Sequence, residues 1–499
     1  MSGDLIIVLN QNQTNMKRSL TTLFAAMLIC TVANAEVIET SADNVAAEKT
    51  EKTEKTKKKK EVQYNENGEI IKTGLNFGPL PVVAFDADRG FQYGALLNIY
   101  DFGNGDTYPN PKSWWYIEAS AYTGGTFNMY LNYDNREIFD NTRLSICTNY
   151  SNESALDFYG FNGYQSIYTY ALDDFFQNNP NEFTFDTESK KGQKAEKKFD
   201  NGLGKAPKGF YRYSRQSFRA KADLTGEIAK NFFWEAGYTF YWLNHKEFNP
   251  KGYTVADGSL YQLYKDWGIL NDTGENQFYS ALKAGLMYDS RNVQNNPTKG
   301  IWAEAHALVA PKWLGSSMDS YKLSATFRQY IPLGTEKLVF AYRLAYQGFL
   351  GKNTPWYLLP FYSNMGYTRD YDAIGGYRTV RGLMLDRVQG IHTGFYNAEL
   401  RWRFIDFKFA NQNIAFALSG FTDGAHVFKG YDLTNKTGAK PELYEKYIDT
   451  SRKDGLHATA GAGLRFIMNQ NFIVAFEYAR CFNKQDGNGA FYINTGFLF

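Results

Sequence analysis

The chain has 499 residues, with 54 basic against 52 acidic side chains and a formal charge of +2. That balance excludes nucleic-acid binding driven by net electrostatics, and no run of about 18 apolar residues follows the amino-terminal region, which excludes a helical membrane span beyond it. A mean hydropathy of −0.47 suits a soluble protein, yet suits a strand-built membrane barrel equally well, because there only alternate residues are apolar and long loops dilute the average.

Met16-Lys17-Arg18, the apolar run Leu23 to Cys30 and Ala33-Asn34-Ala35 form the basic, apolar and small-residue parts of a secretory signal, with cleavage expected after Ala35. An apolar patch from Leu5 to Leu9 precedes a signal that is complete without it, so Met1 and Met16 are both compatible starts. Bulky Ile29 before Cys30 argues against a lipoprotein site. Residues 1–35 therefore read as an extension and signal. Residues 36–69 read as a disordered polar linker, since the Lys, Glu and Thr of Glu51 to Lys60 cannot bury enough apolar surface to offset chain entropy.

Residues 70–499 alternate apolar and polar in about 16 segments, from Leu75 to Asp86 at the start to Gly489 to Phe499 at the end. The count is even, as single-chain bacterial barrels require. Long connections follow the fifth, seventh, eleventh and thirteenth segments, whereas Lys230-Asn231, Pro332 to Thr335 and Asn469-Gln470 follow even ones. This parity predicts an all-β fold, a transmembrane antiparallel barrel with short periplasmic turns and long external loops. Trp114, Trp115, Tyr116, Trp234, Tyr238, Tyr241 and Trp242 are candidates for interface girdles. Cys147 and Cys481 remain after the signal and make no disulfide framework.

The sixth external loop, about Lys352 to His392, carries Gly375-Gly376-Tyr377-Arg378-Thr379-Val380-Arg381-Gly382-Leu383. In the next segment period two puts Ala398, Leu400, Trp402 and Phe404 on one face, with Asn397, Glu399, Arg401 and Arg403 on the other. In the one after, Ile414, Phe416 and Leu418 oppose Ala415, Ala417, Ser419, Phe421 and Asp423. Further on, Ile473, Ala475 and Glu477 oppose Val474, Phe476 and Tyr478, so Glu477 points inward. The chain ends with Phe497 and Phe499 on one strand face.

Val380-Arg381-Gly382-Leu383 resembles the Val-Arg-Gly-(Phe/Tyr) loop motif of the BamA/TamA superfamily of outer-membrane proteins, the bacterial surface antigen family. Asn397 to Arg401 and Phe421-Thr422-Asp423-Gly424 are similar to that family's strand motifs. Leu286 to Arg291 with Pro297 to Gly300, and Gly461 to Phe466, extend the resemblance over most of residues 280 to 499. Leu383 stands where the family usually has an aromatic, and Asn494 where it commonly has a glycine. The resemblance implies that the loop folds back into the lumen, where Arg381 pairs with Asp423 and Glu399 and stacks on Phe421. It implies a carboxyl-terminal assembly signal in Phe497 and Phe499, and a weak seam between Leu75 to Asp86 and Gly489 to Phe499. Gly74, Gly78, Pro79 and Pro81 suit such an edge, because proline cannot donate to a ladder. The periplasmic POTRA domains of the better-known members would not fit in residues 36–69.

His245, His306, His392, His426 and His457 make no metal-ligand spacing, and no Gly-x-Ser-x-Gly elbow occurs, so neither an enzyme nor a cofactor is expected. Two functional classes remain. One is an assembly factor that inserts or translocates proteins at the bacterial outer membrane; the other is a passive transport, lipid-handling or surface-binding barrel. Expected partners are outer-membrane lipids, substrate membrane or surface proteins, and a separate periplasmic or lipoprotein partner in place of the missing domains.

Overall fold

The alternation from Leu75 onward is realised as strands. The computed structural model describes residues 71–86, 89–108, 110–168, 183–200, 208–249, 252–270, 274–293, 296–352, 354–366, 368–409, 412–468, 472–495 and 497–499. The expected signal and linker lie outside them.

Eighteen strands follow one another in the described residues. They are β1 (Leu75–Asp86), β2 (Gly90–Asp101), β3 (Ser113–Tyr122), β4 (Thr126–Phe139), β5 (Thr142–Asp157), β6 (Phe183–Phe185), β7 (Arg212–Ala229), β8 (Phe232–Glu247) and β9 (Tyr253–Val255). The second half holds β10 (Asn276–Asp289), β11 (Gly300–Ala310), β12 (Ser320–Pro332), β13 (Leu338–Leu350), β14 (His392–Phe409), β15 (Gln412–Lys429), β16 (His457–Met468), β17 (Phe472–Cys481) and β18 (Ala490–Thr495). Sixteen of them close into one antiparallel barrel, each hydrogen-bonded to its barrel neighbours in chain order and β18 to β1. β6 and β9 pair with each other outside the barrel and tie two long loops together. Among the described residues no helix is long and apolar enough to cross a membrane.

All sixteen expected segments are present, and the differences lie at their ends. β5 runs on past Tyr150 to Asp157, continuing as a polar ladder against β7. Asn141 and Asn231 take left-handed φ of 55° and 64°, which turns the chain within the tight β4–β5 and β7–β8 connections. In β14 a register shift between Arg403 and Ile405 leaves both Phe404 and Ile405 exposed, so the inward and outward roles exchange there. β18 stops at Thr495, short of the expected Phe499.

The two barrel faces differ as a membrane demands. Leu282, Leu286, Leu344, Leu400, Trp402 and Leu464 point outward and are exposed, an apolar band that lipid would cover. Arg215, Arg343, Glu399, Asp423 and Arg465 point inward and are buried. The expected aromatic girdle divides accordingly. Trp115 and Tyr238 are exposed on the outer face, whereas Tyr241 is buried in the lumen. Trp114 donates to Asn98 Oδ1 at 2.9 Å and Tyr116 to Glu118, which puts both on the inner side with other polar groups. Consecutive aromatics in a strand cannot all face lipid.

One end of the barrel carries the long loops, and these build their own apolar core with the start of the β13–β14 loop. Phe158 meets Tyr264 edge-on at 5.2 Å, Trp267 meets Tyr444 at 5.4 Å, and Leu263, Trp356 and Leu433 are buried among them. The short helix Leu260–Asp266 that supplies Leu263 and Tyr264 is started by Ser259, whose hydroxyl accepts from Gln262 N.

Candidate functional site

Residues 351–391 join β13 to β14 and their described residues lie mostly buried inside the barrel, with a single helical turn among them, Trp356–Leu358. An irregular buried segment needs partners for its backbone groups, and the inner barrel face provides them. Lys221 Nζ donates to Asn364 O at 2.9 Å, Ser324 Oγ to Ser363 O at 3.0 Å, Gln347 Nε2 to Leu359 O at 3.3 Å, and Lys322 Nζ to Phe361 O. A bridge between Tyr362 and Tyr371 folds the intervening residues into a hairpin. Its tip donates backbone N–H groups to the wall, Met365 N to Glu304 at 3.3 Å and Gly366 N to Asp223 at 3.1 Å.

The Val-Arg-Gly stretch follows. Thr379 Oγ1 closes a turn by accepting from Gly375 N and donating to Ala373 O, and Asn397 Nδ2 donates to Thr379 O at 2.7 Å. Val380 and Leu383 are fully buried against Phe395, Ala425 and Val427, so the leucine fills the aromatic's usual place as plain apolar packing. Gly382 has φ of 86°, and a Cβ there would stand 2.8 Å from Ala479 Cβ and 3.0 Å from its carbonyl oxygen. Both facts require glycine, because the loop backbone lies directly on β17. Gly382 N donates to Tyr492 Oη at 3.1 Å, and Cys481 Sγ to Gly382 O at 3.0 Å.

Arg381 is fully buried at the centre of this contact. Its Nε and Nη2 donate to the two oxygens of Asp423 at 2.8 and 2.9 Å, and its backbone N donates to the same carboxylate at 3.0 Å. Nη1 donates to Glu477 Oε1 at 2.7 Å and also pairs with Glu399. The guanidinium carbon lies 3.5 Å from the Phe421 ring centroid, a stacked cation–π contact. Arg401 pairs with Glu399 at 2.7 Å and Arg465 with Glu477 at 2.8 Å, so three arginines balance three carboxylates. Burial lowers the Arg381 pKa, but Asp423 and then Glu399 and Glu477 more than offset this, and the group stays above its ordinary value.

A second anchor holds the loop to the opposite wall. Asp372 pairs with Arg219, with Arg369 at 3.0 Å and with Arg89 at 3.7 Å, and Glu153 joins Arg215 at 2.6 Å and Arg89 at 3.3 Å. Asp370 pairs with Lys221 at 3.4 Å and accepts from Tyr241 Oη. Burial pushes the Asp372 carboxyl up, but Arg219, Arg369, Arg215 and Arg89 hold it well below the usual range.

The barrel closes weakly beside the first anchor. β1 meets β18 only at Phe85↔Ile493 and Asp86↔Tyr492, whereas it pairs with β2 along its whole length, from Leu75↔Asp101 to Asp86↔Gly90. The β1–β2 ladder is unbroken through Pro79 and Pro81, so the donors they lack belong to the edge facing β18. Instead of continuing along β1, the chain end turns into the lumen. Arg401 donates to Phe499 O at 3.1 Å and lies 4.4 Å from the Phe497 ring, and Arg465 lies 4.8 Å from that ring.

The structure thus brings Val380, Arg381, Gly382, Glu399, Phe421 and Asp423 together, and places Phe497 and Phe499 beside them rather than on a strand. Residues not joined to this set in the sequence are Glu477, Arg401, Arg465, Asp370 and Asp372. Glu477 is legible as inward-facing; the register of β15, β16 and β17 sets it level with Ser419, and Arg381 bridges it to Asp423. Cys147 and Cys481 are buried and not bridged. His306, without a metal spacing in the sequence, lies in space beside Glu304 and Glu235.

Residues 142–499 match the model of the Omp85 superfamily domain. Among solved structures, BamA from Haemophilus ducreyi lacking POTRA domains 1–3 is 17% identical with a TM-score of 0.49, covering 85% of this chain and 71% of that one. CdiB from Escherichia coli is 10% identical with a TM-score of 0.47, covering 85% and 63%. CdiB from Acinetobacter baumannii is 13% identical with a TM-score of 0.41, covering 86% and 61%. This chain therefore spans less than two thirds of either CdiB chain. A search of curated proteins returns no match. The domain match extends over well more than half of the sequence, and the chain belongs to the Omp85 superfamily.

Proposed function

We infer that this barrel inserts or translocates proteins at the bacterial outer membrane, using the β1–β18 seam as the place where a substrate strand or lipid meets the wall. The observation that carries this reading is the two-residue pairing at Phe85 and Asp86, with the rest of the β1 edge left without a strand partner among the described residues. Such an edge is a template for an incoming strand. A filled lumen, with the loop bonded to several strands, speaks for work at the wall rather than conduction through the middle. The loop and the seam share parts: Glu399 pairs with Arg381 of the loop and with Arg401, and Arg401 holds Phe499 of the tail. In this reading Arg381, Glu399, Phe421 and Asp423 lock the loop, and Phe497 and Phe499 serve first as the chain's own assembly signal and then as the tail that keeps β18 short.

The test is depletion in the native host followed by quantitative proteomics of the outer-membrane fraction. Loss of several unrelated barrels or surface proteins is expected. Wild-type protein should restore them, and the Phe85→Cys/Ile493→Cys variant should do so only under reducing conditions, since a disulfide would staple the seam. An unchanged outer-membrane proteome would overturn the assembly role and leave transport, lipid handling or surface binding.

A further inference from the structure

Outside the two charge anchors and the seam, the inner faces of β8 and β11 bring three side chains together across β10, one of which, Glu304, also accepts from the loop tip. Glu235, Glu304 and His306 each offer a ligand atom, all within 4.8 Å of one another, and all three residues are at least 95% buried. The sheet register explains the convergence. Gly285 of β10 is the Cα partner of both Glu235 on β8 and His306 on β11, while Glu304 stands two residues from His306 on the same face. A Cβ on Gly285 would lie 2.5 Å from His306 Cβ. With no side chain on the middle strand, the flanking carboxylate and imidazole can close over it.

Two of the three are also left wanting a partner. Glu235 Oε2 is buried without a hydrogen bond, and so is His306 Nδ1, which lies 3.1 Å from Glu304 Oε1 but outside hydrogen-bonding geometry. A buried carboxylate in that condition is costly unless a proton or a cation completes it. The other ring nitrogen is already engaged, His306 Nε2 with Ser363 Oγ at 3.0 Å, the second bond by which a metal-binding histidine is usually oriented. The neighbouring ammonium groups are engaged elsewhere, Lys283 with Asp223, and Lys221 with Asp370 at 3.4 Å and Asp223 at 3.7 Å.

We propose that Glu235, Glu304 and His306 form a binding site for a divalent transition metal of the Zn2+ class, stapling β8 to β11 beneath the tip of the lumenal loop. Two carboxylates and one imidazole suit Zn2+ better than Mg2+ or Ca2+, which prefer oxygen alone. Ligand atoms of a tetrahedral zinc stand about 3.3 Å apart, so rotamer adjustments of these side chains would close the site. The metal would also steady two loop contacts, since Glu304 accepts from Met365 N and His306 meets Ser363.

The experiment uses the untagged full chain, folded in detergent, dialysed against a chelator and then titrated with Zn2+ alone by calorimetry, with metal content checked by mass spectrometry. One equivalent per chain is expected, weakened at least tenfold in both Glu235→Gln and His306→Gln. Heat-modifiable mobility on gels establishes that each variant is folded. Cobalt substitution should give visible absorption bands of a nitrogen–oxygen site that both variants lose. Absence of Zn2+ uptake by the wild-type chain would overturn the proposal. One equivalent bound equally well by both variants would overturn it too.

Discussion

The lumenal loop is held to two walls of the barrel by charges of opposite sign. Towards β14, β15 and β17 it presents a cation, Arg381, to carboxylates on the strands. Towards β7 and the β1–β2 connection it presents anions, Asp370 and Asp372, to Arg219, Lys221 and Arg89. The loop is thus a strut with a positive end and a negative end, and each wall repels the end that belongs to the other. Sliding or inverting it would bring like charges together in a space that excludes water, so one placement is selected over all others. The two ends differ in redundancy. Arg381 alone neutralises the excess of its wall, whereas Asp372 shares Arg89 and Arg215 with Glu153 of the barrel itself.

That difference predicts an order of effects. Arg381→Ala leaves Asp423, Glu399 and Glu477 with only Arg401 and Arg465, and should cost about 3 to 5 kcal/mol, the usual loss on stranding a buried charge. It should lower the temperature of gel heat-modifiability and raise single-channel conductance in planar bilayers; no change in either would dismiss the lock. Asp372→Ala should fall near the lower end, about 3 kcal/mol, because Glu153 still serves two of the four arginines. Its mark is a conductance rise with a smaller shift in heat-modifiability. If Asp372→Ala proved the more damaging, the asymmetry between the walls would be wrong.

Only one of these anchors could be read in the sequence, and the reason is geometric. Arg381 sits beside a glycine in a polar loop, and its acids lie on the next strands, whose alternation states which way they face. The second anchor draws on Arg89, Glu153, Arg215 and Arg219, which precede the loop by up to some hundreds of residues. Period two gives their direction but not their height along the barrel, and height decides whether Asp372 meets Arg219 or passes it. The chain end fails for a different reason. Phe491 to Phe499 alternates like a strand to its last residue, yet Arg401 and Arg465 offer Phe497 and Phe499 cation–π contacts inside, in competition with a ladder on a proline-bearing edge. Glu235 and His306 likewise meet only through Gly285, a register that neither residue's neighbours disclose.

A finer probe of the Arg381 wall is its ring. Phe421→Leu keeps an apolar side chain under the guanidinium but removes the π face 3.5 Å away, and should cost about 1 to 2 kcal/mol, with the carboxylate contacts intact. Heat-modifiability should drop by less than in either charge variant. A loss as large as that of Arg381→Ala would mean that the ring, not the charges, positions the loop.

The smallest effect expected is that of pH. Asp372 has its folded-state pKa depressed, so its contribution is complete above the unfolded value of about 3.9 and is lost only as pH falls through the lower folded value. Arg381, held above its ordinary value, keeps its charge throughout the same range. Both ends of the strut therefore stay charged from about pH 8 to about pH 5, and bilayer conductance should be flat across that window, with opening only in stronger acid. A step in conductance between about pH 5 and pH 7 would mean that a histidine, not either anchor, governs the loop.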